Sequence, residues 1–294
     1  MRRFRTNGES IELWASLDAL VLKALALVLL KRLDFAPTCY HLPGPEGETR
    51  GAKAAVRFVC NHLAGNPFVF RTDVKSYYAS IDHAVLLAQL REKVDDPIIL
   101  DLAGQYLHRT IDENCLYSTA TRGISLGCPL SPVMGALYLD VLDRRMAAAG
   151  LCYARFMDDW VILSPTRWAL RRAVSLVNRT LEELKVEQHP GKTFIGKVER
   201  GFDFLGYRIL AEGIIGVAAP SVQSFQERVL RLYEQNAPPE VIRRRIGDYV
   251  RRWKLWVVSG IPDPAGLLRW LSGQALNAGY LLVDPSPTGP SPRL

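Results

Sequence analysis

The sequence has few of the features that mark a disulfide-rich, zinc-binding or membrane-spanning protein. Its 5 cysteines, at positions 39, 60, 115, 128 and 152, are odd in number and contain no CxxC pair, which argues against a disulfide framework or a zinc ribbon. The one membrane-like run, residues 13–33, is interrupted by Asp18 and Lys23. Its uninterrupted part is far shorter than the ~20 apolar residues that a span needs. We therefore expect a cytoplasmic protein with reduced cysteines and no membrane partner.

The remaining composition is that of an ordinary globular chain with a basic bias. Hydrophobic residues make up 48% and charged residues 23% of the 294 residues, which allows a sizeable core in one large or two modest domains. The formal net charge of +7 indicates a polyanionic partner.

Apolar periodicity predicts an α+β fold, in which helices accompany a small antiparallel sheet. Helices are predicted over residues 13–33, 52–65, 83–94, 98–111, 133–149 and 167–186, and again through the basic segment 221–259. Strands are predicted over residues 68–74, 152–157, 160–164, 202–210 and 213–219. The tail, residues 281–294, is of low complexity and is expected to be disordered.

Two short stretches place carboxylates at the ends of predicted strands. In "YARFMDDWVIL" Asp158 and Asp159 separate two apolar runs, and in "RTDVKSYYASIDH" Asp73 ends an apolar strand. Aspartate is a good turn former, so a surface hairpin is one reading of the first stretch. If the strands are neighbours, however, three carboxylates converge and repel one another unless cations lie between them. Such oxygen-rich clusters suit Mg²⁺, and a pair of Mg²⁺ ions suits phosphoryl transfer.

Four stretches, in order along residues 71–209, carry a resemblance to a known family. They are "FRTDVKSYYASID", "GISLGCPLSPVMGALYLDVLD", "YARFMDDWVIL" and "HPGKTFIGKVERGFDFLGYRI". Together they resemble the metal-binding strand, Gly-rich loop, Asp-Asp hairpin and primer-grip hairpin of reverse transcriptases, in particular of the bacterial group II intron-like branch. The resemblance implies an RNA-directed DNA polymerase that extends a primer with dNTPs on an RNA template.

The resemblance also implies a right-hand polymerase with fingers, a palm that holds the small antiparallel sheet, and a helical thumb. On this sequence the parts are the N-terminal fingers over 1–67, palm over 68–82, fingers and palm helices over 83–122, palm over 123–220 and thumb over 221–280. The thumb is basic, and its helices are expected to follow the template-primer backbone. The backbone contacts are assigned to Arg243, Arg244, Arg245, Arg251 and Arg252.

The catalytic roles follow from the same resemblance. Asp73 and Asp158 would bind two Mg²⁺ ions, with Mn²⁺ as a substitute, while Asp159 supports them and the Val74 carbonyl is a further ligand. The nucleotide site would contain Lys53, Arg57, Tyr77, Tyr78, Leu126, Gly127 and Lys192, and the primer grip Phe204, Leu205 and Gly206. Tyr78 aligns with the steric gate against a 2′-hydroxyl, whereas Tyr77 is the better candidate for a core aromatic.

Leu126 departs from the family pattern. The group II type usually carries glutamine there, and a branched apolar residue followed by Gly127 instead resembles the error-prone enzymes of diversity-generating retroelements. Ser131-Pro132, in contrast, resembles the group II type. An error-prone or template-independent polymerase of a diversity-generating or phage-defence system is therefore one alternative, and a non-catalytic RNA-binding relic is another. A structured RNA partner is compatible with the RNA-directed polymerase and with both alternatives. The sequence leaves the oligomeric state open.

Overall fold

The structure is a computed structural model that describes residues 1–6, 9–44 and 48–260. The chain forms two compact units, the first comprising Met1–Leu205 with Ile209–Gly213 and the second comprising Gly206–Arg208 with the chain from Ile214 onwards. The predicted end of the thumb, 261–280, and the predicted tail, 281–294, lie outside the described residues.

The main sheet of the first unit is antiparallel, with strand order β6-β7-β3-β8. Its strands are β3 (Phe68–Asp73), β6 (Cys152–Phe156), β7 (Asp159–Ser164) and β8 (Phe194–Lys197). The sequence analysis predicted all but β8. Strand β7 is almost completely buried along its length, because its apolar residues are continuous instead of alternating.

Seven helices of the described part of this unit are α1 (Ser16–Arg32), α2 (Ala52–Asn61), α3 (Tyr77–Ser80), α4 (His83–Arg91), α5 (Pro97–Leu107), α6 (Ser131–Ala148) and α7 (Arg167–Glu183). Helix α7 begins where the Thr166 hydroxyl accepts a hydrogen bond from the Ala169 amide, as an N-cap should. It packs on β7 and β3, while α2 and α6 pack on β6. Strands β3, β6 and β7 and helices α1 and α3 to α7 contribute residues to a shared hydrophobic core.

A second sheet, with strand order β2-β1-β4-β5, was not predicted from the sequence. It joins an N-terminal hairpin, β1 (Arg2–Thr6) and β2 (Glu9–Leu13), to a second hairpin, β4 (Thr110–Glu113) and β5 (Leu116–Thr119). The helix expected over 98–111 was therefore wrong at its end, since α5 stops at Leu107. The second hairpin turns at Asn114 and Cys115, whose φ angles of 57° and 67° suit a two-residue turn with both residues left-handed.

The chain passes from the first unit to the second within three short strands, β9 (Phe202–Phe204), β10 (Tyr207–Leu210) and β11 (Gly213–Val217). Two helices follow, α8 (Ala219–Tyr233) and α9 (Pro239–Val258). They pack through Phe225, whose ring lies 4.2 Å from that of Trp253 and 5.5 Å from that of Tyr249. Across the described residues, no helix combines the length and the apolar character that crossing a bilayer requires.

The α+β class and the small antiparallel sheet predicted from the sequence are confirmed by these elements. The division into fingers, palm and thumb stays a prediction.

Candidate active site

Asp73 and Asp159 lie directly opposite each other, as the last residue of β3 and the first residue of β7. Opposed residues of antiparallel strands share one face, with Cβ atoms about 5 Å apart, and like charges there are destabilising. The Asp73 and Asp159 side chains are only 8% and 19% exposed, so water screens the repulsion poorly. The strands that carry Asp73 and Asp159 are thus neighbours, which the sequence analysis had left as a condition.

Asp158 occupies the two-residue turn between β6 and β7, which closes at the pair Phe156 and Asp159. The first turn residue, Met157, has a φ of +60°, which a side chain adopts at a cost of about 1–2 kcal/mol. Burial raises the pKa of Asp158, and the negative charge of Asp73 raises it further. Burial also raises the pKa of Asp159, to about 6, against the opposing effect of Arg71. The three carboxylates therefore form one electrostatic site.

Two cationic side chains contact this carboxylate group. Lys192 Nζ donates to Asp73 Oδ2 at 2.5 Å, and Arg71 Nη2 donates to Asp159 Oδ2 at 3.3 Å. Arg71 also donates to the Lys192 carbonyl at 2.9 Å, which ties the two cations together. The other oxygen of each carboxylate, Oδ1 of Asp73 and of Asp159, is buried with no hydrogen-bond partner. Buried acceptors of this kind are costly unless a cation or donor reaches them.

These acceptors fit a hard divalent cation, because carboxylate oxygens are the ligands that Mg²⁺ prefers. Within the described ranges, no three His, Cys, Asp or Glu side chains are already gathered as a coordination group. The Lys192 side chain, which holds Asp73 Oδ2, is 52% exposed and can leave without disturbing the core. The donor set therefore fits the predicted ion once Lys192 withdraws.

The Val74 carbonyl, the further ligand predicted from the sequence, follows Asp73 directly. Val74 is opposite Gln188 in an isolated bridge, and its two hydrogen bonds are made by neighbours, Lys75 N–H to Glu187 and His189 N–H to Asp73. That pairing leaves the Val74 carbonyl out. The Lys75 amide donates to Glu187 in this pairing. The amides of residues 76–78 lie at the start of helix α3, where backbone amides lack intrahelical acceptors.

The side chains of Arg155 and His41 hydrogen-bond to the main chain of Met157 in the turn, and the sequence analysis did not predict either contact. Arg155 Nη1 donates to the Met157 carbonyl at 2.7 Å, while the Met157 amide donates to His41 Nδ1 at 3.1 Å. His41 Nε2 lies 3.1 Å from the Pro132 carbonyl. Because Nδ1 accepts, the imidazole is neutral with its proton on Nε2. Burial, with Arg155 nearby, lowers the pKa of His41 to about 3, which keeps it neutral at physiological pH.

Arg155 is itself paired with Asp143, and both side chains are fully buried. Arg155 Nε donates to Asp143 Oδ1 at 2.7 Å, and a second bond joins Nη2 to Oδ2. Tyr153 OH also donates to Asp143 Oδ1, at 2.8 Å. The "YARF" stretch thus supplies a buried scaffold for the turn. The one feature of the sequence that pointed to this scaffold was Arg155, a charged residue at a core-facing position of the strand.

The two adjacent tyrosines occupy different environments. Tyr77 is 5% exposed, and its hydroxyl donates to the Gly135 carbonyl in α6, as expected of a core aromatic. Tyr78 is half-buried, and its hydroxyl oxygen is buried without a hydrogen-bond partner. Burial raises the pKa of Tyr78, and the charge of Asp158 adds to the rise. The charge of Asp158 also raises the pKa of Tyr77, so both rings lie near the carboxylates, and the two tyrosines differ in burial and in the partner of the hydroxyl.

The Gly-rich loop with Leu126 and Gly127 is joined to this tyrosine segment. Ile124 N–H donates to the Tyr78 carbonyl at 2.7 Å, and Gly123 N–H donates to the Ile81 carbonyl at 2.8 Å. A Cβ at Gly123, where φ is +80°, would lie 2.9 Å from the Tyr78 oxygen, so only glycine allows this approach. Leu126 is half-buried and Gly127 is exposed.

The N-terminal hairpin fastens the same loop from the other side, which the sequence did not reveal. Glu12 N–H donates to the Leu126 carbonyl at 3.0 Å, and Trp14 Nε1 donates to Ser125 Oγ at 2.8 Å. The Glu12 carboxylate accepts from Arg109 Nε at 2.7 Å. Burial raises the pKa of Glu12, but hydrogen bonds from Arg109 and Arg3 outweigh it and lower the pKa. The ion pair of Glu12 and Arg109 therefore stays charged in the folded protein.

The remaining predicted residues lie on two other parts of the chain. Lys53 and Arg57 are one turn apart on α2, and burial, with the Arg57 charge, lowers the pKa of Lys53 to about 8. The primer-grip residues straddle the unit boundary, with Phe204 and Leu205 in the first unit and Gly206 in the second. A Cβ at Gly206, where φ is +87°, would lie 2.6 Å from the Trp256 ring.

The arginines assigned to the nucleic-acid backbone all lie on α9 in the second unit. Arg245 Nη1 donates to Gln235 at 2.6 Å, and Arg251 contacts Asp248. Arg243, Arg244, Arg251 and Arg252 are exposed on the helix, as a backbone-binding face requires.

Comparison with known families agrees with this geometry. A family model described as "Reverse transcriptase (RNA-dependent DNA polymerase)" matches residues 14–209, which include the three aspartates, the Gly-rich loop and Lys192. The chain belongs to the reverse transcriptase family.

Named relatives of this reverse transcriptase are distant and longer. Protein YkfC of Escherichia coli (strain K12) is 23% identical over 233 residues, 66% of this chain and 61% of YkfC. Group II intron-encoded protein LtrA of Lactococcus lactis subsp. cremoris is 22% identical over 139 residues, 47% of this chain and 23% of LtrA. The chain thus spans less than two thirds of either relative.

A solved structure gives the same fold. Telomerase from Candida albicans, in complex with a TWJ fragment of telomeric RNA, matches with a TM-score of 0.53 at 13% identity, covering 90% of this chain and 48% of that one. At this identity the match concerns the fold alone.

Proposed function

We propose that this reverse transcriptase is an RNA-directed DNA polymerase, which extends a primer with dNTPs on an RNA template. The observation that carries the proposal is the convergence of Asp73, Asp158 and Asp159, with two buried carboxylate oxygens that have no partner. A relic without catalysis gains nothing from keeping three repelling carboxylates at one sheet end, because such a cluster destabilises the fold unless cations bind it. The alternative of a non-catalytic RNA-binding protein is therefore disfavoured.

In this proposal Asp73 and Asp158 hold two Mg²⁺ ions, with Mn²⁺ as a substitute, and Asp159 and the Val74 carbonyl complete the site. When bound, such ions lower the pKa of a primer hydroxyl and neutralise charge on the triphosphate. Arg71 holds Asp159 Oδ2 and thereby fixes which oxygen of Asp159 faces the site. The half-buried His41 and the fully buried Arg155 keep the turn in its strained conformation, so that Asp158 is positioned before substrate arrives.

Lys192 has a second role in the proposal. Its Nζ neutralises Asp73 while the site holds no substrate, and its exposed side chain then moves to the triphosphate, where the ammonium can donate a proton to pyrophosphate. Lys53 and Arg57 contact the triphosphate from α2. Tyr78 excludes a 2′-hydroxyl by its bulk, and the amides of Tyr77 and Tyr78 face phosphate oxygens at the start of α3.

The partners in this proposal are an RNA template, its primer and dNTPs, with a structured RNA as a further partner. The exposed arginines of α9 bind the template-primer backbone as part of a thumb; they are Arg243, Arg244, Arg245, Arg251 and Arg252. Phe204, Leu205 and Gly206 form the primer grip. Phosphate contacts of this kind read helix shape instead of sequence, and they weaken steeply with salt.

One observation keeps a second candidate open. The Leu126 carbonyl accepts a hydrogen bond from the Glu12 amide, and the Leu126 side chain is apolar. The loop therefore offers no side-chain amide to an incoming nucleotide at this position. An error-prone polymerase of a diversity-generating or defence system fits that feature.

Primer extension tests the proposal directly. The full chain is given a defined RNA template, an annealed DNA primer, dNTPs and Mg²⁺, and the products are sequenced. Products complementary to the template support an RNA-directed polymerase, and a raised error rate in them supports the error-prone variant. Tailing without a template supports the template-independent variant. RNA binding with no incorporation under Mg²⁺ or Mn²⁺ contradicts the proposal and favours the relic.

A further inference from the structure

A cavity of about 510 Å³ lies in the first unit between α7 and the β3-β8 edge of the main sheet. Its apolar floor is formed by Phe68, Leu170, Val174 and Ile195. The volume is within the range of ~300–1,000 Å³ that holds small ligands. Ile195 is 49% exposed, so the cavity opens to solvent, and its floor is available to an apolar or flat group.

The rim of this cavity carries four cationic side chains. Arg167 and Arg171 are one turn apart on α7, while Lys197 ends β8 and Arg200 follows it. No acidic side chain lines the cavity within the described part of the chain. Glu199 lies beside the rim and contacts Lys197 at 3.7 Å. The rim therefore presents a strong positive field, which concentrates anions at the mouth.

The cavity is separate from the carboxylate site. Phe68, in its floor, is the first residue of β3, and Asp73 is the last. A strand rises ~3.3 Å per residue, so the two ends are about 17 Å apart. The register with β7 confirms the separation, since Phe68 is opposite Ser164, the last residue of β7, whereas Asp73 is opposite Asp159, the first. A ligand here would not occupy the position of the reacting atoms.

An aromatic surface adjoins the rim. Arg171 lies over the Trp168 ring, with its guanidinium carbon 5.1 Å from the ring centroid, and Trp168 is 71% exposed. Exposed tryptophan and arginine planes are surfaces on which nucleobases stack. Arginine forks also match the oxygens of a phosphate group bidentately.

We propose that this cavity is a second binding site, for a nucleotide unit whose phosphate contacts the Arg167 and Arg171 side chains and whose base contacts the apolar floor or Trp168. The unit is either a free nucleotide or one residue of an RNA strand, because both present the same base and phosphate. A bulky apolar ligand alone would leave the arginines unused, and a simple anion would leave the floor uncovered.

Equilibrium binding without metal tests the proposal, because EDTA removes the ions that the carboxylate site needs. The probes are adenosine monophosphate, adenosine, inorganic phosphate and a fluorescent single-stranded RNA decamer, each measured with the full chain. The informative variant is Ile195→Glu, which puts a negative charge on the floor. Its matched control is Ile98→Glu, on α5 outside the cavity, since Ile98 is also exposed, at 69%, and the change in net charge is identical.

The expected result is that adenosine monophosphate binds more tightly than adenosine or phosphate, and that Ile195→Glu weakens it at least tenfold. Ile98→Glu should change the dissociation constant less than twofold. Arg171→Gln should weaken binding several-fold, whereas Arg172→Gln, an exposed arginine of α7 that does not line the cavity, should not. Primer extension by the Ile98→Glu and Arg172→Gln controls verifies that these variants are folded, and circular dichroism verifies the others.

Two results overturn the proposal. In the first, adenosine monophosphate does not bind the wild type and Ile195→Glu leaves binding of the RNA decamer unchanged. In the second, Ile195→Glu and Ile98→Glu lose equal affinity, which would show a diffuse charge effect instead of a site. If Ile195→Glu but not Ile98→Glu weakens binding of the RNA decamer while the mononucleotide does not bind, the site belongs to an RNA strand, and if it weakens binding of both, the site also takes free nucleotides.

Discussion

The two ends of strand β3 carry opposite charges. At the Asp73 end, three carboxylates lie close together, and Arg71 and Lys192 contact two of them. At the Phe68 end, four cationic side chains surround an apolar cavity. Between the two ends, Val69 and Phe70 are fully buried. Because Val69 and Phe70 carry no polar side chain, the charged groups of interest along β3 lie towards its two ends, and we expect the sign of the charge at each end to set which ligand it prefers.

The two ends also differ in how their charges are held. The arginines of the cavity are exposed on a helix, where an ion pair or a lost charge changes stability little. The turn at Met157 and Asp158 instead lies on a buried ion pair, Arg155 with Asp143. We therefore expect the carboxylate end to be rigid and sensitive to substitution, and the cavity end to be tolerant.

Asp158→Ala is the strongest test of this division. Removing a ligand shared by both proposed metal ions should lower primer extension at least about a thousandfold. Metal-free nucleotide binding at the opposite end of β3 should stay within twofold. Asp101→Ala, which removes an exposed carboxylate of α5 that contacts only Gln105 in the described structure, serves as the control. Full extension by Asp158→Ala would reject the site assignment.

Asp143→Asn tests the difference in rigidity. The substitution leaves the Arg155 charge buried and unpaired, which should lower the free energy of unfolding by about 3–5 kcal/mol. Arg167→Gln, at the exposed cavity end, should change it by less than about 0.5 kcal/mol. Urea unfolding at pH 7.5 measures both. A loss below about 1 kcal/mol for Asp143→Asn would mean that the turn does not depend on a buried ion pair.

Acid should destabilise the carboxylate end of the sheet through His41. Its pKa is lowered in the folded protein to about 3 from 6.5, so its stabilising contribution is present above pH 6.5 and is lost as the pH falls towards 3. Between pH 7.5 and 5 this group alone should reduce the free energy of unfolding by about 2 kcal/mol. His41→Gln should remove that part of the pH dependence. Identical slopes for wild type and variant would show that His41 titrates normally.

Leu126→Gln should have the smallest effect. A glutamine amide could donate one positioned hydrogen bond to an incoming nucleotide, worth on the order of 1 kcal/mol, so misincorporation should fall several-fold. Single-nucleotide misincorporation on one RNA template measures it. The main-chain bond from Glu12 to Leu126 is retained in the variant, so the loop stays in place. Equal error rates would remove the fidelity argument and leave Leu126 as a packing residue.

The sequence predicted the main sheet better than the second one. Strands β3, β6 and β7 were evident because long apolar runs with a turn between them have one simple reading. Strand β8 and the hairpin of β4 and β5 were missed, since they are only four residues each. The partner of β8 is β3, which is distant in the chain, and β4 occupies the end of the helix that was expected over 98–111.

The sequence by itself determined the family and the α+β class, and it predicted the three aspartates as the candidate site, because these depend on local patterns of residue type and their order. Only the tertiary structure decided that Asp73 is opposite Asp159, that His41 and Arg155 hold the turn, and that Glu12 fastens the loop of Leu126. Glu12 and Leu126 are more than a hundred positions apart. No local pattern encodes such a contact, because it is set by the packing of elements that meet only when the whole core forms.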